Sequence, residues 1–340
     1  VRPDDPRLVP LRDAGWTVMP GHETPPIYPP LAELTFRLTW RFLPGPVGFK
    51  LPFLLADLLV VCMLAGWFRS TGGKNVQLAI YAWNPLVVVE FAASGHKDAL
   101  AIAGLIGAIV IIRRHSTVST LLLTAGALAK AFPGVLLPLW LRRAGWRGAL
   151  AAAALIGACA WPFRSAWWSA AQRRHLLAML AYYESRWQNY HASLYAVLAW
   201  FSGSHDVAVG VGLGVVAGLA IWVAFAYPLR SRPLVADDAA RAAYLLVGAI
   251  LMLAPNGYSW YFTWIVPLVS FFPLRGSRTA WLLLTVLQFL SYNVLIDFEA
   301  TGRWHFGAFY QWLTYAPFYA LLLAQALVGK RFLAPAREGT

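Results

Sequence analysis

Apolar stretches of helical length alternate along the chain with short polar loops. A helix needs about 20 residues to cross the roughly 30 Å of hydrocarbon in a bilayer. By this measure the candidate membrane spans are 48–68, 75–93, 98–112, 146–162, 206–229, 242–255, 260–273, 279–296 and 307–329. Residues 28–43 are predicted to form a short helix instead, because Glu33, Arg37 and Arg41 make this segment too polar for a span that faces lipid.

The basic residues predict how these spans are oriented. Lys and Arg in short loops favour the cytoplasmic side of a membrane. If residues 1–47 lie outside, the inner loops and the C-terminal tail carry Arg69, Lys74, Arg113, Arg114, Arg142, Arg143, Arg147, Arg230, Arg232, Arg241, Arg275, Arg278, Lys330, Arg331 and Arg337. The short outer loops then carry only Lys97 and Arg303, and every histidine except His115 lies outside. We therefore interpret the net charge of +13 as a topology signal rather than as a nucleic-acid-binding surface.

The apolar segment 117–141 is interrupted in its middle by Lys130-Ala131-Phe132-Pro133. Arginines flank it on both sides, so it obeys the charge rule only if it enters and leaves the membrane on the same side. We therefore predict a re-entrant hairpin, or two short helices, with its tip near Lys130 pointing outward. Non-helical backbone at this depth must be covered by protein or water. The alternative is a single long span that breaks the charge rule.

The long outer loop 163–205 contains an amphipathic stretch near 165–190. Its apolar side chains fall on one helical face and are Leu176, Leu177, Leu180, Tyr183 and Trp187. This pattern predicts a helix that lies in the membrane interface rather than one that crosses the membrane. The alternative is a lid that packs on the helical bundle.

The composition restricts the fold class to an all-α, polytopic membrane bundle. Hydrophobic residues make up 59% of the 340 residues and charged residues only 13%, whereas soluble domains carry about 25% charged residues. Cys62 and Cys159 both lie in apolar stretches, so neither a disulfide nor a metal site is indicated. The spacing of Gly210, Gly214 and Gly218 inside a predicted span favours close helix packing over a dinucleotide-binding loop.

Lys130 is the most informative single residue. A lysine in mid-membrane costs roughly 2.5–3.5 kcal/mol, so an ordinary structural position would not carry it without a partner. Pro133 interrupts the helix three residues later and leaves a new helix N-terminus. An ammonium group beside such an N-terminus makes a site for an anion, for which a lipid phosphate is the natural candidate at this depth. The alternative is a structural ion pair with Asp57 or Glu90.

Other candidate residues lie in the predicted outer loops. Asp98 is the N-cap candidate of the next helix, which does not exclude a place in a polar pocket whose mouth His96 would share. Tyr28 starts the short outer helix, just after His22 and Glu23. Near Asn256, the rings of Trp260 and Tyr261 are placed either to stack on a sugar or to anchor the chain at the membrane boundary.

Five of these segments, taken in order, are similar to motifs of a known enzyme family. They are Tyr28-Pro29-Pro30-Leu31-Ala32, Trp83-Asn84-Pro85-Leu86, Gly95-His96-Lys97-Asp98-Ala99-Leu100, Ala129-Lys130-Ala131-Phe132-Pro133, and Ala254-Pro255-Asn256 with Trp260-Tyr261. The set resembles the polyprenol-phosphate-sugar glycosyltransferases of the GT-C fold. In particular it resembles glycosyltransferase family 87, which includes the actinobacterial phosphatidylinositol mannoside mannosyltransferases.

The resemblance implies an enzyme that transfers a hexose, usually mannose, from polyprenyl phosphate to a lipid or glycan acceptor with inversion. It implies a bacterial plasma membrane protein whose active site faces outside. Lys130 and His96 would bind the donor phosphate, and the sugar and acceptor cavity would be lined by His22, Glu23, Tyr28, Asn256, Trp260 and Tyr261. Asp98 and His96 are the candidate catalytic residues in this chain. No cofactor or metal is expected, and the partners would be the lipid-linked donor, the acceptor and membrane lipids, without nucleic acid.

The chain departs from this family at two places. The family's catalytic Asp follows a first span that would lie upstream of Val1, so we expect the chain to be a fragment. Its predicted organisation is one transmembrane domain over 1–340, with the rest of the first outer loop at 1–47, the bundle at 48–329 and a cytoplasmic tail at 330–340. Lys97 also replaces the small or polar residue that is commoner at its position.

The chemistry of sugar transfer agrees with the outer polar groups. A carboxylate must accept the proton of the incoming hydroxyl, cations must stabilise the departing phosphate, and a wall must shield the reacting carbon from water. Two other functions remain open at this point. A transporter would also have broken helices and buried charges, and a non-catalytic membrane assembly subunit would need no base.

Overall fold

The computed structural model describes residues 6–12, 28–164, 169–170, 173–174, 177–178, 193–226, 234–302 and 306–332. Within these ranges the regular elements are all helical, which confirms the predicted all-α class. The α-helices are α1 (Pro30–Phe42), α2 (Pro46–Thr71), α3 (Asn75–Ala82), α4 (Pro85–Val87), α5 (Asp98–Ile111), α6 (Ser116–Ala129), α7 (Leu137–Ala160), α8 (Ser193–Ser202), α9 (His205–Ala226), α10 (Ala236–Leu253), α11 (Val266–Ser270), α12 (Ser277–Leu287), α13 (Asn293–Thr301) and α14 (Ala308–Phe332). Shorter helices join them: a π-helix at Val88–Ala93, and 3-10 helices at Pro6–Leu11, Phe132–Leu136, Trp161–Phe163, Ser259–Trp264 and Gln288–Tyr292.

Several of these helices are long and apolar enough to cross a membrane. In the described part of the chain they are α2, α9 and the run Ser277–Thr301. A fourth candidate is the pair Asn75–Ala82 and Pro85–Ala93, which is bent by 41°. The bend coincides with Asn84 and Pro85, where the Asn84 side chain accepts from the backbone N–H groups of Leu86 and Val87 and so caps the second helix.

The predicted span 260–273 differs from the observed structure. It is not one helix but a 3-10 helix, Ser259–Trp264, followed by the short α11. Pro267 lies at the start of α11. A proline is tolerated in the first turn of a helix, but inside one continuous helix it would lack a hydrogen-bonding N–H, so the segment divides here. The predicted span 98–112 is the 14-residue α5, shorter than a span of average thickness requires.

Segment 117–141 folds back on itself about Lys130. Helix α6 ends at Ala129, and Lys130 itself has an extended backbone. The two ends of the segment meet, because the indole N–H of Trp140 donates to the hydroxyl of Ser119 at 2.7 Å. Ser119 in turn donates to the carbonyl oxygen of Ala108 on α5 at 2.6 Å. This is the geometry of a hairpin with its tip at Lys130; that both ends lie on one side of a membrane stays a prediction.

Close helix packing occurs at glycines other than the predicted ones. Helices α5 and α6 approach so closely that a Cβ on Gly104 would lie 2.8 Å from Cα of Gly126. By contrast, a Cβ on Gly210, Gly214 or Gly218 would meet nothing within 4 Å among the described residues. The prediction that these three glycines mediate close packing is therefore wrong within the described structure, because their face of α9 is turned away from the bundle.

The predicted interfacial helix near 165–190 lies almost entirely outside the described residues. In the same outer loop the structure places α8, which the hydrophobic pattern did not predict. Tyr195 of α8 is buried and hydrogen-bonds to His205 at the start of α9. The division of the chain into loop, bundle and tail remains a prediction.

Candidate functional site

Four segments that are distant in sequence meet at one place. They are the start of α1 with Tyr28, the loop 94–97 with the first residue of α5, the break at Lys130, and the 3-10 helix Ser259–Trp264. The hairpin of segment 117–141 positions Lys130, and the turn after α10 positions the aromatic 3-10 helix. A buried carboxylate, Asp98, lies at the centre of these segments.

Asp98 is the centre of the cluster. Its side chain is 2% exposed and accepts the indole N–H of Trp264 on Oδ1 at 2.7 Å. The ammonium of Lys130 lies 3.8 Å from the same oxygen, and that of Lys97 lies 3.9 Å from Oδ2. The N-cap of α5 is Lys97 rather than Asp98. The structure therefore shows Asp98 holding two cations and an indole, and not the capping role that its sequence position suggests.

Lys130 has a different ion-pair partner from those considered above. Asp57 instead accepts a hydrogen bond from Tyr81 at 2.6 Å, and Glu90 is occupied by other groups. The Lys130 ammonium also lies 4.4 Å from the ring centroid of Tyr261, which is a cation–π contact. The alternative of an ion pair with Asp57 or Glu90 is therefore wrong, and the partner is Asp98.

Three stacked rings form a wall beside Lys130 and Asp98. Trp264 stacks on Phe132 with centroids 4.1 Å apart, and Tyr261 stacks on Trp264 at 4.5 Å. Residues three apart eclipse one another in a 3-10 helix, which aligns Tyr261 with Trp264. Sequence analysis missed Trp264, although the three-residue spacing of Tyr258, Tyr261 and Trp264 was a signal for it.

His96 lies in a second aromatic stack next to a buried carboxylate. Its ring stacks on Trp260 at 4.5 Å, and Trp260 stacks on Tyr258 at 4.6 Å. Its Nε2 lies 3.2 Å from Oε2 of Glu90. Burial lowers the pKa of His96, and the charges of Asp98 and Glu90 oppose this effect. Because Trp260 is stacked on both faces by protein rings, its ring faces are not open to a sugar in this conformation.

Glu90 contacts residues of three other segments of the site and was not among the predicted site residues. It lies on the π-helix Val88–Ala93, an irregularity that is frequent at functional sites. It is 1% exposed and accepts hydrogen bonds on Oε1 from Ser259 at 2.7 Å and from Tyr292 at 2.6 Å. Its neighbours in the sequence are apolar. The cost of placing a carboxylate in a predicted span was therefore the one sequence signal that could have pointed to Glu90.

Lys97 is a second cation that sequence analysis did not place in the site. It is 7% exposed, and its ammonium lies 4.2 Å from the ring centroid of Tyr28. The pKa of Lys97 is lowered to about 8, chiefly by burial and also by the neighbouring Lys130, while Asp98 and Glu33 oppose the shift. A lysine with this pKa changes its charge close to physiological pH.

Two buried oxygens in this region have no hydrogen-bond partner among the described residues. One is Oε1 of Glu33 on α1, and the other is Oδ1 of Asn256. Burial raises the pKa of Glu33, and the charge of Lys97 opposes this effect. Unpartnered buried acceptors are costly, and hydroxyl groups of a sugar are the kind of donor that would satisfy them.

Some predicted site residues fall outside the described structure. His22 and Glu23 lie outside the described residues, so their place beside Tyr28 stays a prediction. Among the residues that are described, no group of three or more His, Cys, Asp or Glu side chains is placed to hold a metal ion. The site thus offers ammonium groups, an imidazole and aromatic faces.

Comparison with known proteins bears on the first part of the chain. Residues 22–146 match a family model described as the MptA_B family, Alpha-(1->6)-mannopyranosyltransferase, N-terminal domain. This match supports a mannosyltransferase-like glycosyltransferase. It covers less than half of the chain but includes Tyr28, Glu90, the loop 94–97, Asp98 and Lys130. No curated protein and no solved structure matches the chain.

Proposed function

We propose that the protein transfers mannose from polyprenyl phosphate to a lipid or glycan acceptor, with inversion, at the outer face of a bacterial plasma membrane. The observation that carries this proposal is the Lys130 ammonium, held by Asp98 beside a wall of stacked rings, inside the segment that matches the mannosyltransferase family. The apolar helices around it suit a donor and an acceptor that are both lipid-linked. GT-C architecture and a place in family 87 belong to the same proposal.

The chemistry follows from the groups present. The acceptor hydroxyl oxygen forms a bond to the anomeric carbon from the side opposite the phosphate. The bond between that carbon and the phosphate oxygen breaks, and the electron pair stays on the phosphate. Lys130 stabilises the departing phosphate electrostatically. The rings of Phe132, Trp264 and Tyr261 shield the reacting carbon from water.

The proton of the acceptor hydroxyl must pass to a base. Asp98 and His96 were the candidates from sequence. Both oxygens of Asp98 are already engaged by cations or by Trp264, which favours an anchoring role over that of a base. His96 is neutral more readily than an exposed histidine because burial lowers its pKa, and a neutral imidazole can accept a proton. We therefore retain His96 as the candidate base within this chain.

The test is labelled-mannose transfer from polyprenyl phosphomannose in membranes that contain the full-length protein. We expect Lys130→Ala and His96→Ala each to reduce the transfer rate at least tenfold, because each removes a group that acts on the departing phosphate or on the proton. Arg114→Ala is the control, since Arg114 is exposed beyond the far end of α5. Near-normal rates in both site variants would contradict the proposed donor site. Substrate movement across the membrane without any sugar transfer would favour a transporter.

A further inference from the structure

Two cations share one carboxylate, Asp98, at the centre of the cluster. Lys97 and Lys130 both form their ion pairs with this one carboxylate. Among the described residues no other carboxylate forms an ion pair with either ammonium: Glu90 contacts His96, Ser259 and Tyr292, and Glu33 acts on Lys97 only through its charge. A buried charge that lacks a counter-charge is costly. The arrangement is therefore that of a site for an anion.

Among the described residues, the hydrogen-bonding capacity of the two lysines is also largely unused. Each ammonium carries three donors, yet the separations of 3.9 and 3.8 Å from Asp98 are longer than ordinary hydrogen bonds. The face of Tyr28 holds Lys97, and the face of Tyr261 holds Lys130. Aromatic faces attract the charge without accepting conventional hydrogen bonds. Both ammonium groups are thus fixed in position with donors available for an oxygen-rich anion.

We propose that Lys97 is a second phosphate-binding cation, which together with Lys130 clamps a phosphate group, and that Asp98 is the positioning residue for both. The inference that a lipid carries this phosphate rests on the proposed function. The inference that the site binds phosphate does not. A phosphodiester carries one negative charge and would give the two ammonium groups a second anionic partner beside Asp98. When the bond to the sugar breaks, the phosphate gains a second charge, and a clamp of two ammonium groups stabilises it better than one.

The charges that surround Lys97 make this binding depend on pH. Lys97 faces Asp98 and His96 from its own segment, Glu33 and Tyr28 from the segment of α1, and Lys130 from the break after α6. Its pKa of about 8 means that it is mostly charged at pH 7 and mostly neutral at pH 9. Phosphate prefers the charged form, so affinity should fall as pH rises through this range. An arginine at this position would stay charged and remove the decrease.

The experiment measures binding of farnesyl phosphate, and separately of inorganic phosphate, to the purified full-length protein by calorimetry. Lys97→Met keeps the apolar stem over Tyr28 and removes the charge. We expect it to weaken the binding of farnesyl phosphate at least tenfold at pH 7. Lys97→Arg should bind within about threefold of the wild type. Between pH 7 and pH 9 the wild-type affinity should fall about tenfold, and that of Lys97→Arg should not. Arg114→Ala again serves as the control.

Each result has one meaning. Wild-type affinity in Lys97→Met, or equal losses in Lys97→Met and Lys97→Arg, would overturn the clamp; thermal unfolding of each variant, run in parallel, identifies any variant that fails to fold. If a Lys97 variant fails to fold, the wild-type protein alone is the test. An affinity for farnesyl phosphate that does not change between pH 7 and pH 9 then overturns the proposal. Competition by inorganic phosphate identifies a site for phosphate as such, while binding of farnesyl phosphate alone identifies a lipid headgroup site. Phosphate binding that depends on Lys97, without any mannose transfer, would leave the clamp standing and refute only the proposed function.

Discussion

At the scale of single residues, the cost of burying a charge decides which groups must have a partner. It singled out Lys130 from the sequence and required a partner for it. It did not identify the partner, because Asp57 and Glu90 lie within apolar runs as Lys130 does, whereas Asp98 lies at the end of a polar loop. The fold brings Asp98 to Lys130 and supplies Tyr81 to Asp57. Lys97 was missed for the same reason, since nothing local shows that two lysines share one carboxylate.

The hydrogen bonds of Glu90 lead to a prediction about stability. Glu90→Ala removes the buried acceptor of both Ser259 and Tyr292 and the carboxylate beside His96. We expect the free energy of unfolding to fall by roughly 2–4 kcal/mol. Thermal unfolding in detergent, followed by tryptophan fluorescence, measures the change. Glu299→Ala, at an exposed position on α13, should leave the transition where it is. Equal transitions for the two variants would show that Glu90 does not tie these segments together.

At the scale of elements, the hydrophobic pattern identified which segments are apolar but not how each is built. The segment 260–273 has the length of a short span, yet it divides into a 3-10 helix and α11. The 3-10 geometry then aligns Tyr261 with Trp264 and supplies the ring wall. Likewise, glycine spacing on α9 resembles a packing motif, but spacing on one helix does not reveal which face another helix covers.

The close crossing of α5 and α6 gives a prediction at this scale. Gly104→Ala would place a Cβ 2.6 Å from the carbonyl oxygen of Leu122, so the helices would have to separate. We expect a loss of roughly 1–3 kcal/mol in the free energy of unfolding. Gly214→Ala meets nothing within 4 Å among the described residues and should unfold at the same or a slightly higher temperature. The same thermal assay measures both, and a larger loss for Gly214→Ala would mean that α9 has a partner on that face.

At the scale of the whole molecule, the polar segments collect at one end of helix α5, and the arginines at positions 113 and 114 lie beyond the other end. The charge rule places the first end outside and the second inside. This orientation leads to a direct prediction. In a protein whose Cys62 and Cys159 are replaced by Ala, a membrane-impermeant maleimide should label Ser94→Cys in intact cells. It should label Arg114→Cys only after permeabilisation.

Both labelling positions are exposed in the structure, so accessibility within the protein does not limit the reaction. Membranes solubilised in detergent serve as the control, because both cysteines should then react. The reverse pattern in intact cells would invert the proposed topology and place the cluster around Asp98 on the cytoplasmic side.

The sequence was sufficient to predict the all-α class, the apolar helices, the break at Lys130 and the segments from which the site is drawn. These features are local, since they depend on the length of an apolar run, on a proline that removes a donor, or on a charge in apolar surroundings. The tertiary structure decided which groups meet: Asp98 with two lysines, Glu90 with His96, and Trp264 with Phe132. Such contacts join residues far apart in the chain, and their partners depend on how the helices cross and fold back, which no local pattern encodes.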